Sequence, residues 1–235
     1  MEILKHCRIY PISSFCATTE TYFKIPDDLV NQHLALRTRK LGHIHVVEHS
    51  FRLSKVKKKL ITTNLDENSG LILLIDVISC WKQFARSLVN NGQSIAYLSS
   101  ASLCQFDGLL NFLGQLIDSP DEALKRCIFT DSYSYSCLQQ PLTGIIIDNL
   151  SYYQTPVAMR EFSALQKMLK SLRSTFGCWT MTTSYGLEYY NGVEGGTSTL
   201  YTSSGTSFTR LPVSYIKDTD LVLMRDTEDT YHLVK

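Results

Sequence analysis

The sequence of 235 residues has no Cys-x-x-Cys pair, no long apolar run and no excess of charge of either sign. Its seven scattered cysteines argue against a disulfide scaffold and favour a reducing compartment, the cytosol or the nucleus. The longest aliphatic run, Leu71–Ile75, is too short to span a bilayer, and residues 1–11 lack the apolar core of a signal peptide. A net charge of +1 gives no overall field that steers the chain to nucleic acid or to a membrane.

The balanced total conceals a basic segment near the N-terminus. Residues 1–60 contain 11 basic and 5 acidic side chains, whereas the rest of the chain contains 12 basic and 17 acidic ones. The excess lies mainly between Arg37 and Lys59 and includes three consecutive lysines, Lys57, Lys58 and Lys59. This segment is either a phosphate-binding face or a solvated helix surface. In both cases the lysines are expected to point outward, because apolar residues recur among them at helical spacing: Leu53, Val56 and Leu60.

From Gly70 onwards the sequence predicts strands that alternate with helices. The runs typical of buried strands are Leu71–Ile75, Ser94–Ser99, Gly144–Asp148 and Cys178–Thr183. The strongest helical periodicity extends from Phe162 to Phe176, and two further strands, Leu221–Arg225 and Tyr231–Val234, predict an edge hairpin. This alternation predicts an α/β fold with a mostly parallel sheet and helices on both faces.

Residues 1–69 are predicted to form a small N-terminal β/α extension packed on a core domain of residues 70–235. The extension contains two strand-like pieces, Arg8–Ile12 and His43–Val47, and a short helix from Asp27 to Arg37. No linker composition separates the two parts, so we expect them to pack together.

Asp148 closes the run Ile145–Ile147 and fits the Walker B pattern, in which an Asp at the carboxyl end of a strand supports Mg²⁺ beside phosphates. The alternative is an Asp that caps the next turn. A nucleotide site also needs a glycine-rich loop after an earlier strand. The turn Asp76–Gln83 contains Lys82 but no glycine, and Asp76 brings a negative charge to it. We therefore expect that this turn does not hold a triphosphate.

Three histidines, His43, His45 and His49, raise the question of a metal site. Alternation places His43 and His45 on one face of a strand. No set of Cys or carboxylate ligands completes a tetrahedral site, so a polar strand face is the preferred interpretation and no metal is expected.

A further basic row lies in the predicted helix that ends at Phe176. Lys167, Lys170 and Arg173 follow one another at helical spacing opposite the apolar stripe. Such a row is either a solvated face or a track for DNA.

The order of elements from Gly70 to Val234 resembles the RecA-like recombinase core. Ile95–Ala101 resembles the strand that carries the catalytic glutamate in active members, and Ala101 falls at or near the position of that glutamate. Thr143–Ser151 resembles the Walker B strand. The resemblance therefore implies a core without the catalytic carboxylate.

The sequence is similar to one degenerate branch in particular, the platinum-sensitivity subunits of the Shu complex. The similar stretches are Arg8–Pro11, Lys40–Gly42, Asp118–Pro120, Gly144–Ser151, Phe176–Trp179, Tyr190–Glu194 and Leu211–Pro212. The resemblance implies a nuclear, non-catalytic subunit without a cofactor, which forms a heterodimer with a second RecA-like subunit inside the larger Shu assembly. The pair is expected to bind DNA and to promote assembly of the recombinase filament in homologous recombination and error-free damage tolerance.

The family's long loop before the last strands is expected to supply basic residues to DNA. Here Gly192–Thr209 contains four Gly and nine Ser or Thr among 18 residues, and no Lys or Arg. The candidate DNA contacts are the aromatic residues of the loop, the cations beside it and the basic run near the N-terminus: Tyr201, Phe208, Arg210, Lys217, Lys57, Lys58 and Lys59.

Phe15, within Ser14–Thr18, is similar to the aromatic anchor through which recombinase protomers join, and is a candidate partner contact. The alternative is a Phe of the chain's own core. Two other functions also stay open. One is a nucleotide-binding paralogue built on Lys82 and Asp148, and the other is a scaffold that binds only protein.

Overall fold

The structure, a computed structural model, describes residues 12–28, 36, 38–49, 53–67, 70–127, 140–153, 159–186, 209, 211–225 and 231–235. The strands are β1 (His43–Glu48), β2 (Leu71–Asp76), β3 (Ile95–Leu98), β4 (Leu142–Asp148), β5 (Trp179–Tyr185), β6 (Leu221–Arg225) and β7 (Tyr231–Leu233). The helices are α1 (Lys55–Glu67), α2 (Lys82–Asn90), α3 (Phe106–Asp118), α4 (Pro120–Leu124), α5 (Met159–Phe176) and α6 (Val213–Lys217). Short 3-10 helices cover Ile12–Phe15, Ala101–Cys104 and Leu150–Tyr153.

The strands form one seven-stranded sheet in the order β3-β2-β4-β5-β1-β6-β7. The first six strands pair in parallel, and β7 pairs with β6 in the antiparallel sense at the edge. The α/β fold with a mostly parallel sheet is therefore confirmed, and so is the edge hairpin of the last two strands.

The segment predicted as an N-terminal extension contributes an interior strand. β1 lies between β5 and β6, with His43 opposite Thr180 and Ile44 opposite Leu221. The extension and the core therefore share one sheet. Of the predicted strand at residues 8–12 only Ile12 is described, and it begins a 3-10 helix. Most of the predicted helix at residues 27–37 also lies outside the described residues.

The sheet divides the hydrophobic core into two layers, because successive side chains of a strand point to opposite faces. One layer joins Leu73 and Ile145 to α3, α4, α5 and α6. The other joins Ile72 and Ile146 to α1 and α2. Strands covered on both faces have apolar residues at every position, which explains the continuous runs in the sequence. Among the described helices, none combines the length and the apolar character needed to cross a bilayer.

The segment before β1 covers the C-terminal end of α5. The Ala17 N–H donates to the Phe176 carbonyl at 2.9 Å, and the Thr21 N–H donates to the Gly177 carbonyl at 2.7 Å. These bonds satisfy carbonyl groups that have no partner within the helix. Phe15 belongs to this segment and is fully buried in the core of its own chain. The candidate partner contact at Phe15 is thus corrected, because its side chain is not exposed to a second protein.

Gly144 of β4 lies directly against the indole of Trp179 on β5. A methyl group at position 144 would lie 2.3 Å from Cζ2 of Trp179. We expect Gly144→Ala to lower the free energy of unfolding by about 1–3 kcal/mol, because a well-packed core must shift to accept it. The measurement is urea unfolding of the chain followed by tryptophan fluorescence.

Gly114→Ala provides the matched control for this substitution. Gly114 lies inside α3, and the nearest atom to an added methyl group is Cε of Met168 at 4.0 Å. Alanine favours a helix over glycine by about 1 kcal/mol, so this variant should be as stable as the original chain or more stable. Equal destabilisation by both substitutions would contradict the packing described.

Candidate functional site

Three buried carboxylates mark the ends of three parallel strands. Glu48 is the last residue of β1, Asp76 of β2 and Asp148 of β4, and each has no exposed surface. The carboxyl ends of parallel strands meet at one edge of the sheet, where α/β proteins bind their ligands. A charge persists in such a place only when donors surround it. The partners of these carboxylates therefore decide what the edge can bind.

Asp148 accepts hydrogen bonds from three different elements. The Lys57 Nζ atom of α1 lies 2.6 Å from Oδ2, and the Thr183 hydroxyl of β5 donates to Oδ1 at 2.6 Å. The indole N–H of Trp81 also donates to Oδ2. Both oxygens of the Asp148 carboxylate are thus engaged by the chain's own donors, and the Lys57 ammonium neutralises its charge.

Burial and pairing have opposite effects on the two charged groups of this pair. Burial raises the pKa of Asp148, but the Lys57 ammonium and the hydrogen bonds bring that pKa below its ordinary value. Burial lowers the pKa of Lys57, whereas the charges of Asp148 and Glu48 bring that pKa above its ordinary value. Both groups therefore remain ionised at neutral pH, as a buried ion pair.

A second buried carboxylate, that of Asp76, lies at the turn between β2 and α2 and is bound by groups of the chain itself. The Asp76 carboxylate accepts the backbone N–H groups of Cys80 at 3.2 Å and Trp81 at 2.8 Å, and the Tyr97 hydroxyl at 2.9 Å. Backbone N–H groups at the start of a helix are the groups that bind phosphate. Here Asp76 takes them, and its charge would repel a phosphate as the sequence suggests.

Glu48 completes the edge and fixes the start of α1. The Arg225 guanidinium lies 3.3 Å from its carboxylate, and the hydroxyls of Ser54 and Tyr231 donate to it, the former at 3.1 Å. Ser54 Oγ also accepts the Lys57 N–H at 3.1 Å, which caps the helix. The cap thus joins the start of α1 to the end of β1, next to the residue whose side chain reaches Asp148.

The orientation of Lys57 corrects the sequence prediction that all three lysines point outward. Lys57 is 1% exposed, and it shares the buried face of α1 with Leu60 and Ile61. Lys58 and Lys59 are exposed, so only these two remain candidates for phosphate contact. The sequence contains a signal for this orientation. Lys57 precedes Leu60 by three positions and Ile61 by four, and residues at these spacings lie on the same face of a helix, here the buried one.

Lys82, the lysine considered for a phosphate loop, does not pair with Asp148 among the described contacts. It is exposed and lines a surface cavity of about 340 Å³ at the ends of β2 and β3, together with Ala101, Ser79 and Ser99. No Asp or Glu is among the described residues that line this cavity. The lysine that reaches Asp148 comes from α1 instead.

The two histidines of β1 lie on one strand face, as the alternation predicts. His43 Nδ1 lies 2.7 Å from the Thr180 hydroxyl, and His45 contacts the hydroxyls of Thr182 and Ser184 at 2.9 and 2.8 Å. Burial lowers the pKa of both imidazoles to about 3, so both are neutral. Within the described part of the chain, no group of three or more His, Cys, Asp or Glu residues could hold a metal ion.

The remaining candidate contacts lie in different places. Residues 201, 208 and 210 are outside the described residues. Thr209 pairs with Gly186 just beyond the carboxyl end of β5. Lys217 is exposed at the end of α6, just before β6, and therefore lies toward the amino ends of the strands. The structure thus separates Lys217 from the strand edge that holds Asp148.

The parallel sheet with a helical layer on each face makes the chain an α/β protein, and acidic residues end β2 and β4 at its carboxyl edge. A family model described as "Shu complex component Psy3, DNA-binding description" matches residues 7–228. Platinum sensitivity protein 3 of Saccharomyces cerevisiae (strain ATCC 204508 / S288c) is 34% identical to this chain, in an alignment that covers 97% of this chain and 95% of that protein. The chain therefore belongs to the Psy3 family of Shu complex components.

Solved structures show more distant similarity. The KaiC-like protein PH0186 from Pyrococcus horikoshii OT3 has a TM-score of 0.45 at 12% identity, covering 83% of this chain and 76% of that chain. The cytoplasmic domain of EssC has a TM-score of 0.40 at 15% identity, covering 77% of this chain and 31% of that chain.

Removal of the Lys57 charge should destabilise the protein severely. Lys57→Met keeps most of the side-chain length but leaves the Asp148 carboxylate buried and unpaired, at an expected cost of about 3–5 kcal/mol. Lys58→Met, at the exposed neighbouring position, should change stability by no more than about 0.5 kcal/mol. Urea unfolding followed by tryptophan fluorescence measures both, and Trp81 reports directly on the site. Equal stability of the two variants would contradict the ion pair.

The pH dependence of the same pair has a defined sign. The pKa of Asp148 is lower in the folded chain than its ordinary value of 3.8, so its contribution to stability is present above that pH and is lost as the pH falls below it. A Lys57→Met/Asp148→Leu variant lacks this contribution. Its stability relative to the original chain should therefore improve as the pH is lowered through that range.

Proposed function

We propose that the chain is a non-catalytic DNA-repair subunit that acts in the nucleus as a heterodimer with a second RecA-like subunit of the Shu complex. The pair binds DNA and promotes assembly of the recombinase filament during homologous recombination and error-free damage tolerance. One observation supports the non-catalytic part of the proposal: the buried carboxylates of Asp148 and Asp76 are already bound by donors of the chain itself. Membership of the Psy3 family, with its DNA-binding description, supports the role in DNA repair.

Nucleotide binding at this edge would require the internal contacts to break. A metal ion at Asp148 would have to displace the Lys57 ammonium, and a phosphate would have to displace the Asp76 carboxylate from the start of α2. The separation of a buried pair costs several kcal/mol, which opposes binding by the same amount. The proposed role needs no nucleotide cycle, because in it the protein acts only by binding its partner subunit and DNA.

The proposed DNA contacts of this chain fall into two groups. Arg210, Tyr201 and Phe208 are close in the sequence to Thr209, which pairs with Gly186 just beyond the carboxyl end of β5. Lys58 and Lys59 lie on α1, where Lys58 stacks over the Phe84 ring at 5.5 Å. Lys59 forms an exposed ion pair with Asp28 at 2.8 Å. We favour the segment at the carboxyl edge, since both lysines of α1 already have partners within the chain.

We expect neither the chain nor its complex with the partner subunit to bind ATP in isothermal titration calorimetry at millimolar nucleotide with Mg²⁺. The reason is the occupied edge, in which Asp76 and Asp148 already have their donors. Micromolar affinity that Lys82→Ala abolishes would contradict this expectation and support the nucleotide-binding alternative. An active recombinase titrated in the same buffer serves as the positive control.

DNA binding by the complex should be independent of sequence and sensitive to salt, because the candidate contacts are cations and aromatic rings. Each phosphate contact that is lost should reduce the slope of log affinity against log salt by about one unit. We expect Arg210→Ala to reduce this slope in the complex, measured by fluorescence anisotropy with a mixed-sequence oligonucleotide.

The matched comparison is Lys58→Ala/Lys59→Ala in the same complex. Lys57 is left unchanged because it is buried, and its removal would destabilise the chain rather than test DNA contact. If only the lysine pair weakens binding, the DNA lies on α1. If neither variant has an effect, neither Arg210 nor the lysine pair of α1 contacts DNA, and the scaffold that binds only protein gains support.

A further inference from the structure

An open groove of about 410 Å³ lies between α5 and α6, outside the strand edge described above. Lys167 and Lys170 of α5 line one wall, and Lys217 of α6 lines the other. Lys217 is distant in the sequence from Lys167 and Lys170, and the packing of α6 along α5 brings it to the same groove. All three are exposed.

The walls of the groove are held in place by the core beneath them. Ser163, Gln166, Lys167 and Lys170 repeat at the spacing of one helix face, and the opposite face of α5 is buried. The Gln166 side-chain amide donates to the Ser214 carbonyl of α6 at 3.1 Å. Below this bond the rings of Phe162 and Tyr215 meet edge to face, with centroids 5.8 Å apart.

The described residues that line the groove have a net positive charge. None of the three lysines forms an ion pair within the part of the chain that the structure describes. Asp218 is the single acid among the described lining residues. Two net positive charges therefore face the solvent in a concave setting, which attracts anions.

The chemistry of the lining distinguishes nucleic acid from protein as the occupant. All the described lining residues are polar, and none offers the aromatic or aliphatic anchor on which protein interfaces depend. Lysine ammonium, serine hydroxyl and glutamine amide groups are instead the usual donors to phosphate oxygens. The groove therefore fits a phosphodiester backbone.

The course of the two helices relates the groove to the carboxyl edge of the sheet. α5 starts after β4 and ends before β5, so it runs from the carboxyl edge to the amino edge. α6 follows Thr209, which pairs with Gly186 at the carboxyl edge, and ends just before β6. A DNA strand bound at the carboxyl edge of the sheet can thus continue along the groove.

We propose that the groove between α5 and α6 binds the sugar–phosphate backbone of DNA, as a second contact in addition to the segment around Arg210. The proposal rests on the proposed function, in which the complex binds DNA. Lys167, Lys170 and Lys217 neutralise phosphates, whereas Asp218 opposes them from the rim. No base is read, so the contact adds affinity without sequence preference.

The test is anisotropy of a mixed-sequence single-stranded oligonucleotide with the assembled complex over a salt series. Lys167→Gln/Lys170→Gln/Lys217→Gln should reduce the salt slope by about 2 units, since each contact to a single strand contributes about 0.7. Affinity at low salt should fall about 10- to 100-fold. Asp218→Asn should act in the opposite direction and tighten binding, which loss of fold cannot do.

Two matched variants separate position from overall charge. Arg86→Gln/Lys125→Gln removes two exposed cations outside the groove and should have little effect, whereas Lys167→Gln/Lys170→Gln removes two inside it. Lys167→Arg/Lys170→Arg keeps the charge and should keep the affinity. If the two Gln pairs behave alike while the original complex binds DNA, the groove proposal is overturned and the proposed function stands. If the original complex does not bind DNA, the proposed function itself fails.

Discussion

The contact between the Lys57 ammonium and the Asp148 carboxylate, 2.6 Å apart and closed off from water, governs the arrangement of this fold. It joins α1 on one face of the sheet to the end of β4 at its centre. Trp81 at the start of α2 and Thr183 of β5 complete the cluster, so two helices and two strands meet at one carboxylate. Any ligand at this edge has to compete with a contact between groups already desolvated.

The sequence predicted the structure correctly where the environment of a residue depends on residues close to it in the chain. Leu71–Ile75 and Ile145–Ile147 read as buried strands because residues covered on both faces are apolar throughout. The roles of Lys57 and Phe15 could not be read in this way. Lys57 meets a carboxylate 91 positions away, and Phe15 packs on a layer formed by later helices. The sequence is compatible with burial of both side chains, but their contacts follow only from the tertiary fold. The interior position of β1 in the sheet could not be predicted for the same reason, because β1 pairs with β5 and β6, which are distant in the sequence.

Positive charge is distributed unevenly along this chain. Residues 192–209 contain no Lys or Arg. Exposed cations lie instead on helices, with Lys58 and Lys59 on α1 and a second group on α5 and α6. Cations on packed helices hold fixed relative positions, whereas those on a Gly- and Ser-rich loop have to be ordered on binding.

The Asp76 carboxylate is held at the start of α2, and its position there bears on how long a complex that contains this subunit persists. In a nucleotide-driven protein the bound anion is cleaved and released, and each release resets the surfaces around it. An anion that belongs to the chain is neither consumed nor released. Under the proposed function, the lifetime of a complex that contains this subunit therefore depends on how fast its partners and DNA dissociate, and not on nucleotide hydrolysis.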